Sequence, residues 1–320
     1  MKAVVLVGGE GTRLRPLTLV TPKQMLPVGR RPMLERVLEW LAGHGVDEAV
    51  LSLGYRPDAF LRAYPSGESC GVRLVYAVED SPLDTAGAIR FAALEGGVDR
   101  RFVVVNGDVL TDLDVTALVA FHRDRGAEAS IALTPVEDPS HFGVVPTDEA
   151  GRVLAFIEKP APGQAPTNLI NAGTYVLEPS VLDRIPGGRK VSIERETFPA
   201  LVADGRLYAM GSGASWIDAG TPATLLAANL AYAPLGPDGS GVSGSVLADD
   251  VSIASGAVVA RSLLMEGAVV EAGAVVTDSI VGPGARIGSG ARVQRHSVIG
   301  QAYVVEPGAE LMEARLPQAG

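Results

Sequence analysis

The residues of this chain best suited to chemistry come early, in the run Val7-Gly-Gly-Glu-Gly-Thr-Arg-Leu-Arg-Pro-Leu-Thr18 and the Pro22-Lys-Gln-Met-Leu-Pro27 that follows it. A short apolar strand, 3–7, leads into Gly8, Gly9 and Gly11, with Arg13, Arg15 and Lys23 close behind. Glycines after a strand let backbone N–H groups approach a phosphate with no Cβ in the way. Guanidinium and ammonium groups then neutralise its oxygens. The spacing is not that of a P-loop, because no Gly-Lys-Ser/Thr follows. Nor is it a dinucleotide fingerprint, since Gly8-Gly9-x-Gly11 leads into Arg13 and prolines, not into an apolar helix. A plain glycine turn with solvated cations is the competing reading, and for Arg15 the two stand level. A second signal is Phe102-Val-Val-Val-Asn-Gly-Asp108, an apolar strand that ends in a carboxylate. That carboxylate is either a turn residue or a ligand for a hard divalent cation.

Together these runs resemble the signature of the sugar-nucleotide pyrophosphorylases, nucleotidyltransferases whose pattern reads roughly GGxGTRLxPLT followed by PK. The resemblance extends over nearly the whole chain. It implies that a sugar 1-phosphate attacks the α-phosphorus of a nucleoside triphosphate and that pyrophosphate leaves. The nucleophile is already an ionised oxygen, so His44, His122, His141 and His296 are set aside as bases. Aligning two polyanions and neutralising the developing charge is then the catalytic task. By this resemblance Arg13 meets the leaving β,γ-phosphates and Lys23 stabilises charge nearer the reaction centre. Val7, Gly8, Gly9, Gly11, Thr12 and Arg13 would contact the nucleotide, as would Asp84, Thr85, Gly87, Asn106 and Gly107. Asp108 and Asp218 would hold Mg2+. The second of these lies in Trp216-Ile-Asp-Ala-Gly-Thr-Pro222, where capping the helix at Pro222 is the alternative. On the sugar side, Glu158-Lys159-Pro160 matches the motif in which Lys159 takes the sugar phosphate and Glu158 accepts from sugar hydroxyls. Gly143, Asn171 and Gly173 would line the same pocket. Glu194, in Ser192-Ile-Glu-Arg-Glu-Thr-Phe198, resembles an acidic sugar contact; a helix-start glutamate after Ser192 is the alternative.

Within the family, Ile170-Asn-Ala-Gly173 and Ser192-Ile-Glu-Arg-Glu196 look most like mannose-1-phosphate guanylyltransferases, which join GTP to mannose 1-phosphate. Gln24 points instead toward glucose-1-phosphate thymidylyltransferases, and an enzyme activating an unusual sugar is a further alternative. The base loop also departs from the family's Pro-Leu-Gly-Thr-Ala-Gly: Asp84 stands at the first glycine, in Pro82-Leu-Asp-Thr-Ala-Gly87. A carboxylate facing the base would accept from guanine N1–H and the 2-amino group and repel a pyrimidine carbonyl; otherwise it is solvated. A non-catalytic regulatory subunit would lose the cations or carboxylates. Arg13, Lys23, Asp108, Lys159 and Asp218 are all retained.

These groups need a frame. Residues 1–233 alternate strand-like runs (49–53, 72–78, 102–105, 130–133, 174–177) with amphipathic helical patterns (32–44, 114–125, 222–232). Such alternation predicts a Rossmann-like α/β catalytic domain, a mostly parallel sheet with ligands at strand carboxyl ends. Residues 234–245 read as a Pro/Gly/Ser linker. In 246–320 the residues Ile253, Val259, Val270, Val276, Ile287, Val293, Ile299, Val305 and Leu311 recur on a six-residue period, slipping by one near Leu264 and Val281. That is the pattern of a parallel β-helix of about three coils, and it resembles the left-handed hexapeptide helix of this family. Its open ends predict a homo-oligomer, dimer or tetramer. No residue assigned to chemistry lies beyond Asp218, so nucleotide binding is expected to survive loss of the tail. The 320 residues carry a net charge of −10, which argues against a nucleic-acid partner. A single cysteine, Cys70, and an N-terminal apolar run too short for a signal or membrane span predict a cytoplasmic protein.

Overall fold

Buried aliphatic runs make the strands that carry the first glycine loop. In chain order the strands are β1 (Lys2–Leu6), β2 (Glu48–Leu53), β3 (Val72–Val78), β4 (Phe102–Asn106), β5 (Ala129–Pro135), β6 (Gly143–Val144), β7 (Ile157–Glu158), β8 (Leu169–Leu177) and β9 (Leu207–Gly211). Parallel pairing sets the order β4-β1-β2-β3, with Val5 opposite Leu51 and Val105. Every residue of β2 is buried, the pattern of a strand covered on both faces. The expected strand 174–177 is part of the longer β8, and it runs antiparallel to both β4 and β5. β9 returns parallel to β5, so the sheet is mixed but mostly parallel.

The computed structural model describes residues 1–233, 235 and 241–318. They form two compact units: Met1–Gly9 with Val37–Trp216, and Glu10–Arg36 with Ile217–Gly320. The first unit holds the sheet, and its core packs Val4, Val104, Ile131, Tyr175, Leu177 and Phe198 together. Helix α1 (Met33–Gly43) replaces the expected 32–44. Helix α2 (Asp84–Glu95) follows the base loop. Helix α3 (Val115–Arg125) starts on Asp114, whose carboxylate accepts from Ala117 N–H, and stops at Gly126 in the left-handed region. Helix α4 (Pro222–Tyr232) begins with a capping box between Thr221 and Thr224, so the cap is Thr221 and not Asp218.

The second unit contains the β-helix. Three parallel ladders of five, five and four strands stack along it, as in a left-handed hexapeptide helix. Val259, Val270, Val276, Ile287, Val293 and Val305 fill its interior. The ladders run to more rungs than the three coils expected, and Val242–Ser243 pairs within the stretch read as linker. Both end rungs are only partly buried, with Val242 and Leu311 packed against the interior. Residues 234 and 236–240 of that linker lie outside the described residues. Successive rungs are 17 residues apart at Ser245, Ser262 and Ser279, and the step from Val281 to Ile299 takes one more. The slips in the six-residue phase are the 17-residue coils, each one residue short of three hexapeptides. All four serines of the column, Ser245, Ser262, Ser279 and Ser297, are completely buried. Ser262 Oγ donates to the carbonyl of Ala260 and accepts from Ser279 N–H, tying a corner to the next rung.

Candidate active site

In the sheet unit the nominated residues gather at strand ends. Val7 is buried and donates its N–H to Ser52 O. Gly8 follows it, and a Cβ there would lie 3.3 Å from Gly54 N, a tight contact between the turns that follow β1 and β2. Gly9 is exposed and has open space around its Cα. At the end of β4, Asn106 is half-buried and Gly107 N–H donates to Leu6 O. That bond ties the Asn106-Gly107-Asp108 turn to the strand that carries Gly8. Asp108 is half-exposed.

The base loop is held to the 191–197 segment by hydrogen bonds. Asp84 is exposed, sits at φ 61 and accepts from Thr85 N–H at 2.8 Å. A left-handed backbone is the conformation glycine adopts freely, which is why a glycine serves at this position in the family pattern. Thr85 Oγ donates to Glu194 Oε2 at 2.7 Å and accepts from Ile193 N–H. Ser192 Oγ donates to the same Glu194 oxygen. Both Ala86 and Gly87 donate N–H to Val191 O. A Cβ on Gly87 would sit 2.9 Å from Leu83 Cβ and 3.2 Å from Arg189 O, so this close approach needs glycine.

The third group surrounds β6, β7 and β8. Gly143 pairs with Glu158 across β6 and β7, and its missing Cβ leaves space beside the Phe156 ring and Glu158 Oε2. Lys159 has φ 50 and a side chain 61% exposed, with Nζ 3.6 Å from Glu158. Its ammonium is therefore available to an anion. Asn171 donates to Tyr175 Oη and accepts from Gly173 N–H. Burial pushes the Tyr175 phenol far above its ordinary value, so it stays a neutral hydrogen-bonding partner. Gly173, at φ 73, approaches Asn106 so closely that a Cβ would lie 2.6 Å from its Nδ2.

The second unit holds Arg13 and Lys23. Thr12 and Arg13 are exposed on a 3₁₀ turn, Thr12–Leu14, that starts from Gly11 at φ 62. A Cβ on Gly11 would meet Thr18 and, at 3.1 Å, Lys23 Cβ. Arg15 pairs with Glu10 at 3.2 Å, which favours its solvated reading. Arg13 and Asp218 converge over Gly220, where a Cβ would lie 2.7 Å from Arg13 Nη2 and 2.7 Å from Asp218 Oδ1. Gly220 was not singled out in the sequence, although its place in Asp218-Ala-Gly220 was visible. Glu79 was also missed: it accepts from Leu83 N–H and Ser52 Oγ, fixing the start of the base loop. It lies just past the carboxyl end of β3, the criterion that selected Asp108.

A sequence model of the nucleotidyl transferase family matches residues 2–234, and one of the GMPPB C-terminal domain matches 237–316. The chain belongs to the nucleotidyl transferase family. It is 47% identical over 222 residues to the mannose-1-phosphate guanylyltransferase of Mycobacterium tuberculosis, covering 69% of this chain and 61% of that protein. Identity to the mannose-1-phosphate guanyltransferase of Aspergillus fumigatus is 43% over 236 residues, 72% of this chain and 64% of that one. The matched stretch thus spans less than two thirds of these relatives. Among solved structures, HddC from Yersinia pseudotuberculosis superimposes with a TM-score of 0.62 at 29% identity, covering 71% of this chain and 97% of that one. HddC complexed with GMP-PN gives 0.60 at 28% identity. No described helix is long and apolar enough to cross a membrane.

Proposed function

We propose that this protein transfers a guanylyl group from GTP to mannose 1-phosphate, giving GDP-mannose and pyrophosphate. The convergence of Arg13 and Asp218 over Gly220 carries the reading, because it sets a cation and a carboxylate side by side where no side chain intrudes. The names of the Mycobacterium and Aspergillus relatives supply the base and the sugar, and the guanosine nucleotide in the HddC complex agrees with the base. Arg13 and Lys23 neutralise the triphosphate, whose charge rises on the leaving pyrophosphate. Lys159 takes the phosphate of mannose 1-phosphate and Glu158 accepts from its hydroxyls. Glu194 has both Thr85 and Ser192 as donors, so its second oxygen is the one offered to a sugar.

Asp108 and Asp218 are the proposed ligands of Mg2+. With no Cβ at Gly220, Asp218 Oδ1 and Arg13 Nη2 approach the same point, and a carboxylate oxygen there is the donor a small hard cation takes. Among the described residues no three His, Cys, Asp or Glu side chains cluster as a metal cage. One or two carboxylates, completed by substrate phosphates, is the usual magnesium arrangement. When bound, the ion would offset phosphate charge. We place the protein in the cytoplasm, a reading that rests on its one cysteine. Turnover of GTP with mannose 1-phosphate in Mg2+, abolished by EDTA and restored by Mg2+, is the expected result; full activity in EDTA contradicts the metal assignment.

A further inference from the structure

Along each β-helix strand one residue faces the interior and its neighbour faces out. On two faces the outward residues are largely exposed, as at Val258, Arg292 and Glu310, and at Ser252, Arg286 and Val304. The third face differs. Its outward row, Val246, Leu263, Ile280 and Val298, is apolar and at most 4% exposed, and Arg315 ends it. The segment Glu10–Arg36 belongs to the same compact unit and lies against that face. Pro16 stands 3.0 Å from where a Cβ of Gly300 would sit. Leu17 and Met25 share a cleft of about 590 Å³ with Val246 and Leu263.

This segment carries Arg13 and Lys23 on three-residue 3₁₀ turns, Thr12–Leu14 and Lys23–Met25, with a third at Leu17–Leu19 between them. Turns this short have little stability of their own. Their conformation is set by what they pack on, and Leu14, Leu17 and Leu26 are all buried. The cations gain their value only if held in place before the substrate arrives.

We infer that the β-helix is the mount of the signature loop, and that Leu263 is a positioning residue acting on Arg13 and Lys23 through Leu17 and Met25. The inference rests on the guanylyltransferase reading above. A matched pair of variants separates the two roles: both leucines border the cleft, but Leu264 packs in the interior cluster of the β-helix while Leu263 belongs to the outward row. Both Leu263→Ala and Leu264→Ala remove the same atoms from the same strand. Two readouts are needed: steady-state kinetics, and hydrogen exchange at the amides of Leu14, Leu19 and Met25, which are bonded to Gly11, Pro16 and Pro22 carbonyls.

The expected result is that Leu263→Ala speeds exchange at those amides and lowers kcat by about ten- to a hundredfold, the scale of a small misplacement. The KM for mannose 1-phosphate stays near the native value, since Lys159 lies in the sheet unit. Leu264→Ala lowers the melting temperature but leaves both readouts native below it, and Leu263→Met restores them. Equal exchange in the two alanine variants overturns the mount. If Leu263→Ala does not fold, Leu263→Val is read against Leu264→Val by the same criterion. Faster exchange in Leu263→Ala alone, from a native protein that does not couple GTP to mannose 1-phosphate, upholds the mount and removes the guanylyltransferase reading.

Discussion

At Gly220 the atoms nearest a single added carbon belong to Arg13 and Asp218. The glycine's backbone is not in the left-handed region, so alanine brings no conformational strain, only a Cβ 2.7 Å from Arg13 and from Asp218. Gly220→Ala should lower kcat by about tenfold or more with little change in melting temperature; native kcat would remove the convergence of Arg13 and Asp218 from the mechanism. Lys159→Ala should weaken mannose 1-phosphate by about ten- to a hundredfold, the value of a lost charge-assisted contact, and leave GTP nearly untouched. If kinetics showed only GTP affected, the two subsites would be exchanged. Asp84 is exposed and already accepts from Thr85 N–H, so one oxygen remains to meet a base. Asp84→Gly should narrow the preference for GTP over dTTP, and an unchanged ratio would assign Asp84 to solvent. The glycines and cations were legible because their types and order alone carry the signal. The Thr85–Glu194 hydrogen bond was not legible, because it joins residues 109 apart in the chain.

The serine column and the Glu128 ion pair show how elements are held apart from the site. Ser262→Ala would strand the buried N–H of Ser279, while the carbonyl of Ala260 keeps the N–H of Asp278. The cost should be about 1–3 kcal/mol, read by chemical denaturation, with kcat unchanged at 25 °C. A stability loss near zero would mean that water or a neighbour replaces the hydroxyl. Arg184 donates two hydrogen bonds to the Glu128 carboxylate just before β5 and holds its pKa below the ordinary 4.5. The folded pKa is the lower one, so this contribution is complete above pH 4.5 and is lost as pH falls through the folded value. Glu128→Gln should therefore be less stable than the native protein at pH 7 and converge with it in acid; a difference that does not shrink in acid would contradict the pairing. Strand β2 could be read from its short apolar run, β3 from its recurring valines, and α4 from its apolar face. The direction of β8 could not, because a buried run such as Thr174–Leu177 has the same composition in either direction. The β-helix was underestimated at its start, because the first rung, Val242–Ser243, lies in a Pro/Gly/Ser-rich stretch that reads as linker.

At the scale of the molecule, the chain's order and its packing diverge. Glu10–Arg36 is early in sequence but packs with the late β-helix, a tertiary choice that no local pattern announces. A chain ending near Tyr232 keeps every residue assigned to chemistry yet loses the face under the signature loop. It should bind nucleotide weakly and turn over slowly. The exposed apolar residues Val258, Val304 and Met312 and the open ladder ends support a homo-oligomer, dimer or tetramer, braced by the β-helix. Light scattering of the full chain at micromolar concentration should find it, and a monomer would contradict it. The central claim is the transfer itself, and product analysis over all common nucleoside triphosphates against a panel of sugar 1-phosphates tests it most directly. GDP-mannose and pyrophosphate formed in equal amounts, with the highest kcat/KM on GTP and mannose 1-phosphate, is the predicted result; faster formation of dTDP-glucose, or no nucleotide sugar from any pair, would contradict it.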